Sequence, residues 1–188
     1  MAKDWLNIDD RVFVVTGGSS GIGDAIVKDL INNHAKVVNA DLKEGKFKDD
    51  NLLFVETDVT KRDQVEHMVA AAKEKFGAID GLVNNAGINI PRILTDPNEP
   101  DGQYVIDEAN FDKMFTINVK SVWLCSSIIV KELVKQHKGV IVNMSSESGL
   151  EGSQGAGIYS GTKGAINGFT RAWAKDCLLY TSPSPRDV

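Results

Sequence analysis

Arg11-Val12-Phe13-Val14-Val15-Thr16-Gly17-Gly18-Ser19-Ser20-Gly21-Ile22-Gly23 decides how the rest of the chain is read. Its first residues, through Thr16, are a short run rich in β-branched side chains, the pattern of a buried strand. Gly17 to Gly23 supply a turn, and Ile22, Ile26, Val27 and Leu30 follow at helical spacing. A glycine-rich backbone turns sharply and lets an anion approach closely, while the helix N-terminus behind it offers unpaired N–H groups and a favourable dipole. The spacing is Gly-x-x-x-Gly-x-Gly, not the common G-x-G-x-x-G fingerprint. A plain strand–helix connection is the alternative, but even taken alone the turn favours a dinucleotide.

The pattern repeats outward from this stretch. Lys36-Val37-Val38-Asn39-Ala40, Leu52-Leu53-Phe54-Val55, Ile79-Asp80-Gly81-Leu82-Val83 and Gly139-Val140-Ile141-Val142-Asn143 read as further strands. Asp63 to Phe76 reads as an amphipathic helix with Val65, Met68, Val69 and Ala72 on one face. Phe111 to Leu133 carries two helical stretches, and Tyr159 to Lys175 reads as a helix. Apolar strands alternating with helices predict an α/β fold with a parallel sheet covered on both sides. Pro91 to Asp107, with Pro91, Pro97 and Pro100, breaks the rhythm and predicts a loop or lid at the sheet's carboxyl edge.

The composition is that of an ordinary globular domain: 188 residues, 42% hydrophobic and 25% charged. A net charge of −5 without a Lys/Arg stripe argues against a nucleic-acid or anionic-membrane partner. No apolar run reaches the roughly 18 residues of a membrane helix, and Met1-Ala2-Lys3-Asp4-Trp5 leads into polar residues rather than a secretory core. Cys125 and Cys177 are too few for a disulfide framework, and His34, His67 and His137 lack ligand spacing, so no metal site is expected. These features predict a cytoplasmic protein acting on a small molecule.

Asp41 ends the second strand, 18 positions after Gly23. An acidic side chain there accepts hydrogen bonds from a ribose 2′-hydroxyl and repels a 2′-phosphate, which favours NAD over NADP, although Lys43 nearby keeps NADP open. Tyr159 and Lys163 stand four apart on one helix face. A nearby ammonium favours the phenolate form of a tyrosine, making it a usable acid/base for an alcohol or ketone proton. Ser146, 13 positions before Tyr159, is placed to hydrogen-bond a substrate oxygen. Asn118, in Phe115-Thr116-Ile117-Asn118-Val119, would otherwise be a mid-helix or helix-break amide.

Together these residues resemble the short-chain dehydrogenases/reductases. The resemblance is carried by Thr16-Gly17 through Gly23, Asp58-Val59, Asn84-Asn85-Ala86-Gly87, Asn118, Ser145-Ser146 and Tyr159-x-x-x-Lys163, in the family's order and at its separations. It implies a Rossmann-type doubly wound parallel sheet of strand order 3-2-1-4-5, with the family's later strands missing here. It implies that Tyr159 is the acid/base, that Lys163 assists it and holds the nicotinamide ribose, that Ser146 orients the reacting oxygen and that Asn118 fixes a water. It places Gly17, Ser19, Ser20, Gly21, Ile22, Gly23 and Asp41 on the cofactor, Asp58 and Val59 beside the adenine, and Asn85, Ala86 and Gly87 along the cofactor cleft. A homo-oligomer, dimer or tetramer, is implied for the full-length protein.

Within the family, Met1 to Asp176 is most similar to members that interconvert D-sorbitol 6-phosphate and fructose 6-phosphate with NAD. The phrases concerned include Asp4-Trp5-Leu6-Asn7, Asn85 through Arg92, Phe111-Asp112-Lys113-Met114-Phe115 and Val142 through Gly152. Arg92 can grip a phosphate bidentately, and Glu147 and Glu151 can accept polyol hydroxyls. Another polyol or a 3-oxoacyl substrate, or an inactive NAD-binding fragment, are the alternatives. Residues 1–176 thus predict an incomplete NAD(P)-binding Rossmann domain. Residues 177–188 predict a non-native tail, because Cys177 to Asp187 back-translates into the end of a transposase adapter used in sequencing libraries. A fifth strand left as a bare edge predicts poor solubility and little activity.

Overall fold

Along the chain the elements are β1 (Val12–Thr16), α1 (Gly21–Asn32), β2 (Lys36–Asp41), β3 (Leu52–Glu56), α2 (Arg62–Phe76), β4 (Gly81–Asn84) and α3 (Glu108–Phe115). A π-helical turn (Thr116–Lys120), α4 (Ser121–Lys135), β5 (Val140–Asn143), α5 (Ser148–Glu151) and α6 (Gly157–Leu178) complete the order. The computed structural model describes residues 6–178. They separate into two units: one holds the described residues through Gly87 with Lys120–Met144, the other Ile88–Val119 with those from Ser145 onward. Most of the expected foreign tail lies outside the described residues; Cys177 and Leu178 continue α6.

The first unit is built on a five-stranded parallel sheet of order β3-β2-β1-β4-β5, the Rossmann-type arrangement the sequence implied. Val14 of β1 stands opposite Val38 of β2 and Leu82 of β4. Side chains alternate across a strand, so one strand set feeds two cores. Val12, Val14, Val38, Ala40 and Leu82 pack with α2 and α4, while Val15, Val37 and Val83 pack with Val27 and Ile31 of α1. Each such side chain contributes about 1.5–3 kcal/mol on leaving water. On α2 the buried residues are Val65, Met68, Val69 and Ala72, the predicted face.

β4 begins later than the apolar run suggested. Ile79 and Asp80 are buried, but their polar groups serve the strand's surroundings: Asp80 Oδ2 accepts from Val12 N–H at 3.0 Å, and the Ile79 carbonyl accepts from Gln136 Nε2 at 2.9 Å. The strand then starts on Gly81, where an added Cβ would lie 2.5 Å from the Phe13 ring. At the other side of the sheet β5 pairs only with β4 among the described residues. Its Val140 and Val142 are 46% and 44% exposed. Cys125 lies in the core, where burial pushes its thiol up to about 12, whereas Cys177 is exposed.

The second unit carries the proline-containing loop, which includes short bridges from Arg92 to Ala156 and from Ile93 to Val105. Asp107 then caps α3 by accepting from Asn110 N–H at 2.7 Å. The two helical stretches expected over Phe111 to Leu133 are α3 and α4, joined through the π-helical turn. The one-turn helix α5 was not legible in the sequence; it packs on α6, where Gly149 lies against the backbone of Lys163. Among the described residues no helix is long and apolar enough to cross a membrane.

Candidate active site

In the first unit the turn after β1 has the form a pyrophosphate needs. Gly17 adopts φ +66, and an added Cβ would lie 3.0 Å from Ala86 Cα. Gly23 is closer still: its Cβ would lie 2.0 Å from the Gly17 carbonyl oxygen. Only glycine lets strand and helix meet this tightly. Asn85 Nδ2 donates to the carbonyls of Thr16 and Gly17, each at 3.0 Å, and Thr16 Oγ1 accepts from Asn85 and Ala86 N–H. Asn85 and Ala86 therefore brace the turn. Ser20 precedes α1 in an extended conformation and its side chain makes no cap, so it leaves the first-turn N–H groups to a ligand. Gly21 has open space where a Cβ would be, and Ile22 is 65% exposed. The glycine contacts and uncapped N-terminus fit a dinucleotide phosphate.

Asp41 stands at the end of β2. Its Oδ2 accepts from Ser19 N–H at 3.0 Å and its Oδ1 from Leu42 N–H at 2.7 Å. Both oxygens retain lone pairs for ribose hydroxyls. Leu42, 63% exposed directly after it, was not singled out from the sequence; an apolar residue following the strand-end acid was the available signal. Asp58 Oδ1 accepts from Thr60 N–H and Oγ1 at 2.9 and 2.7 Å, shaping the approach to α2, and Val59 is a core residue.

In the second unit Tyr159 and Lys163 lie one turn apart on α6, with Lys163 Nζ 5.7 Å from the centre of the Tyr159 ring. That distance lies within the range of a cation–π contact. Lys163 is 7% exposed, and burial holds its ammonium below the ordinary lysine value. Ser145 Oγ donates to the Lys163 carbonyl at 3.2 Å, bringing the loop that carries Ser146 onto α6. Ser146 Oγ accepts from Ser148 N–H at 3.2 Å.

Asn118 is fully buried in the π-helical turn, a distortion that recurs at functional sites. Its Oδ1 accepts from Ile88 N–H and its Nδ2 donates to the Ile88 carbonyl, both at 2.8 Å, and also to Thr162 Oγ1 at 3.2 Å. Thr162 was missed in the sequence, although a hydroxyl one residue before Lys163 was its signal. The substrate candidates differ. Glu147 and Glu151 are exposed at α5. Arg92 donates through one terminal nitrogen to the Pro91 carbonyl at 2.8 Å, while its Nε is buried without a partner. The Arg92 backbone N–H donates to Gly155 at 2.8 Å, close in sequence to the start of α6.

Comparison with known proteins agrees with this geometry. The chain is 48% identical over 178 residues to sorbitol-6-phosphate 2-dehydrogenase of Klebsiella pneumoniae, covering 94% of this chain and 67% of that protein. An uncharacterized oxidoreductase of Staphylococcus aureus strain MRSA252 is 33% identical over 95% of this chain and 78% of its own. The ligand-free structure of aldohexose dehydrogenase from Thermoplasma acidophilum superposes with a TM-score of 0.79 at 26% identity. That match covers 90% of this chain and 62% of the other, so the chain spans under two thirds of that structure. The family model described as short chain dehydrogenase matches residues 11–180, and the chain belongs to that family of oxidoreductases.

Proposed function

We propose that this chain carries the coenzyme-binding and proton-transfer residues of an NAD(H)-dependent oxidoreductase. Its substrate pair is a polyol phosphate and a ketose phosphate, D-sorbitol 6-phosphate and fructose 6-phosphate. The observation that carries the reading is the pairing of half-buried Tyr159 with buried Lys163 on α6, in a chain whose β1–α1 turn suits a dinucleotide. Similarity to the Klebsiella sorbitol-6-phosphate 2-dehydrogenase supports the substrate. Asp41 supports NAD over NADP, since its carboxylate accepts from ribose hydroxyls and repels a 2′-phosphate.

Gly17, Ser19, Ser20, Gly21, Ile22, Gly23 and Asp41 would hold the coenzyme, with Asp58, Val59, Asn85, Ala86 and Gly87 along its course. A nicotinamide held there would supply the hydride acceptor for oxidation of the alcohol carbon and the hydride donor for the reverse reaction. Tyr159 Oη takes the hydroxyl proton in oxidation and gives it back in reduction. Lys163, with its ammonium beside the ring, offsets negative charge on the Tyr159 oxygen while the proton is in transit. Ser146 donates to the substrate oxygen, which gains negative charge as its proton departs. Asn118 anchors the chain at Ile88 and Thr162.

Arg92 is proposed to take the phosphate. A buried Nε without an acceptor is a costly donor, and a phosphate oxygen would satisfy it. Glu147 and Glu151 are proposed to accept polyol hydroxyls. The test is oxidation of D-sorbitol 6-phosphate beside free sorbitol, with NAD and with NADP, followed as reduced coenzyme. Preference for the phosphate and for NAD is expected, and Arg92→Ala should abolish the phosphate preference. Equal turnover of the two polyols, or an unchanged preference in Arg92→Ala, would sink the phosphate assignment. Coenzyme binding without turnover of any polyol would instead favour a binding fragment.

A further inference from the structure

Asn39 is an amide in the middle of β2, 3% exposed between Val38 and Ala40. A buried amide in an apolar strand costs stability unless its polar groups are met. Its Nδ2 donates to Ser19 Oγ at 2.9 Å, and Ser19 Oγ donates in turn to the Lys43 carbonyl. Ser19 N–H donates to Asp41 Oδ2 at 3.0 Å. One serine of the phosphate turn thus grips the chain on both sides of Leu42. The surroundings leave this serine little freedom: a Cβ on Gly45 would come within 3.2 Å of Ser19 Cα. Asn39 Oδ1 has no partner, and a Cβ on Gly18 would lie 2.6 Å from it, so the amide's one side-chain bond is the one to Ser19.

We infer that Asn39 is a positioning residue for coenzyme choice: through Ser19 it holds the Asp41 carboxylate and the Lys43 backbone in the arrangement that accepts ribose hydroxyls and refuses a 2′-phosphate. The inference rests on the nicotinamide reading above. Asp41 repels a 2′-phosphate only while its carboxylate stays at the end of β2, and Lys43 would attract one if its segment were free to turn. Both are tied to Ser19. The Asn39 amide fixes the direction of the Ser19 hydroxyl, because an oxygen that accepts from Nδ2 is left to donate toward Lys43.

The test measures dissociation constants for NADH and NADPH, by calorimetry, on this chain and on Asn39→Val and Ser19→Ala. Removing one net hydrogen bond should lower the NADH-over-NADPH ratio about fivefold in each variant. Loss of stability alone would not move that ratio. If Asn39→Val does not fold, Ser19→Ala breaks the same link from a partly exposed turn and decides the matter. An unchanged ratio, or equal weakening of both coenzymes, overturns the inference while leaving the NAD reading intact. A parent chain that prefers NADPH, or that binds neither, overturns the NAD reading and this inference with it.

Discussion

Asn118 Nδ2 donates to Thr162 Oγ1 at 3.2 Å, and Thr162 Oγ1 donates onward to the Tyr159 carbonyl at 2.7 Å. A fully buried threonine therefore connects the π-helical turn to the first turn of α6. Val is nearly isosteric with Thr but has no hydroxyl. Thr162→Val should leave Asn118 with an unmet donor and slow turnover about tenfold with little change in coenzyme KM, whereas Thr162→Ser should retain most of the rate. Steady-state kinetics of the two variants check this. Equal rates for Val and Ser would show that the bridge has no part in positioning Tyr159.

Lys163 offers a prediction with a definite sign. Burial holds its folded-state value below the unfolded value, so the unfolded chain binds more protons over the interval between them. The buried charge therefore costs stability at neutral pH, and the cost fades as pH rises toward ordinary lysine ionisation. Lys163→Met should melt no lower than the parent at pH 7, and the two should converge as pH rises. Turnover should nevertheless fall by about a hundredfold or more. Thermal melts across pH, set beside initial rates, test both halves. A lower melting point at neutral pH in Lys163→Met would show that the ammonium stabilises the fold instead.

Two glycines, Gly149 against α6 and Gly161 within it, should respond oppositely to alanine. A Cβ at Gly149 would lie 2.7 Å from the Lys163 carbonyl carbon and 2.8 Å from its Cβ, and backbone there cannot yield cheaply. Gly149→Ala should cost about 1–3 kcal/mol. Gly161, inside α6, has nothing within 4 Å of the same position. Gly161→Ala should add up to about 1 kcal/mol through helix propensity. Urea titrations would show midpoints moving in opposite directions; a shared direction would contradict the packing described.

Gly23→Ala places a methyl group against the Gly17 carbonyl, so the phosphate turn must open. NADH affinity should fall at least tenfold, with a stability loss of about 1–3 kcal/mol. Calorimetric titration and a thermal melt separate the two effects. Full NADH affinity in Gly23→Ala would remove this turn from the coenzyme site.

The sequence made the sheet legible because its strands are short, apolar on both faces and separated by helices with clear periodicity. Val14, Val38 and Leu82 needed no information beyond their runs. Tyr159 and Lys163 were legible because helical spacing alone puts them on one face. Thr162 and Asn39 were not, since a hydroxyl or amide within an apolar run looks the same whether it faces solvent or links two segments. Asn118 was recognised by resemblance, but its grip on Ile88 depends on a π-helical turn that no local periodicity announces. The start of β4 was misplaced because Ile79 is as apolar as the strand it precedes. What distinguishes it is a carbonyl bonded to distant Gln136.

The contrast between the two thiols has a practical use. Cys125 is buried and its acidity is suppressed, so an alkylating reagent in the native protein reaches only exposed Cys177. A maleimide dye should thus attach to one position on the native protein and to a second only after denaturation. The time course of that second attachment reports how often the helix bearing Cys125 leaves the sheet, which gives a clock for opening of the core that needs neither coenzyme nor substrate.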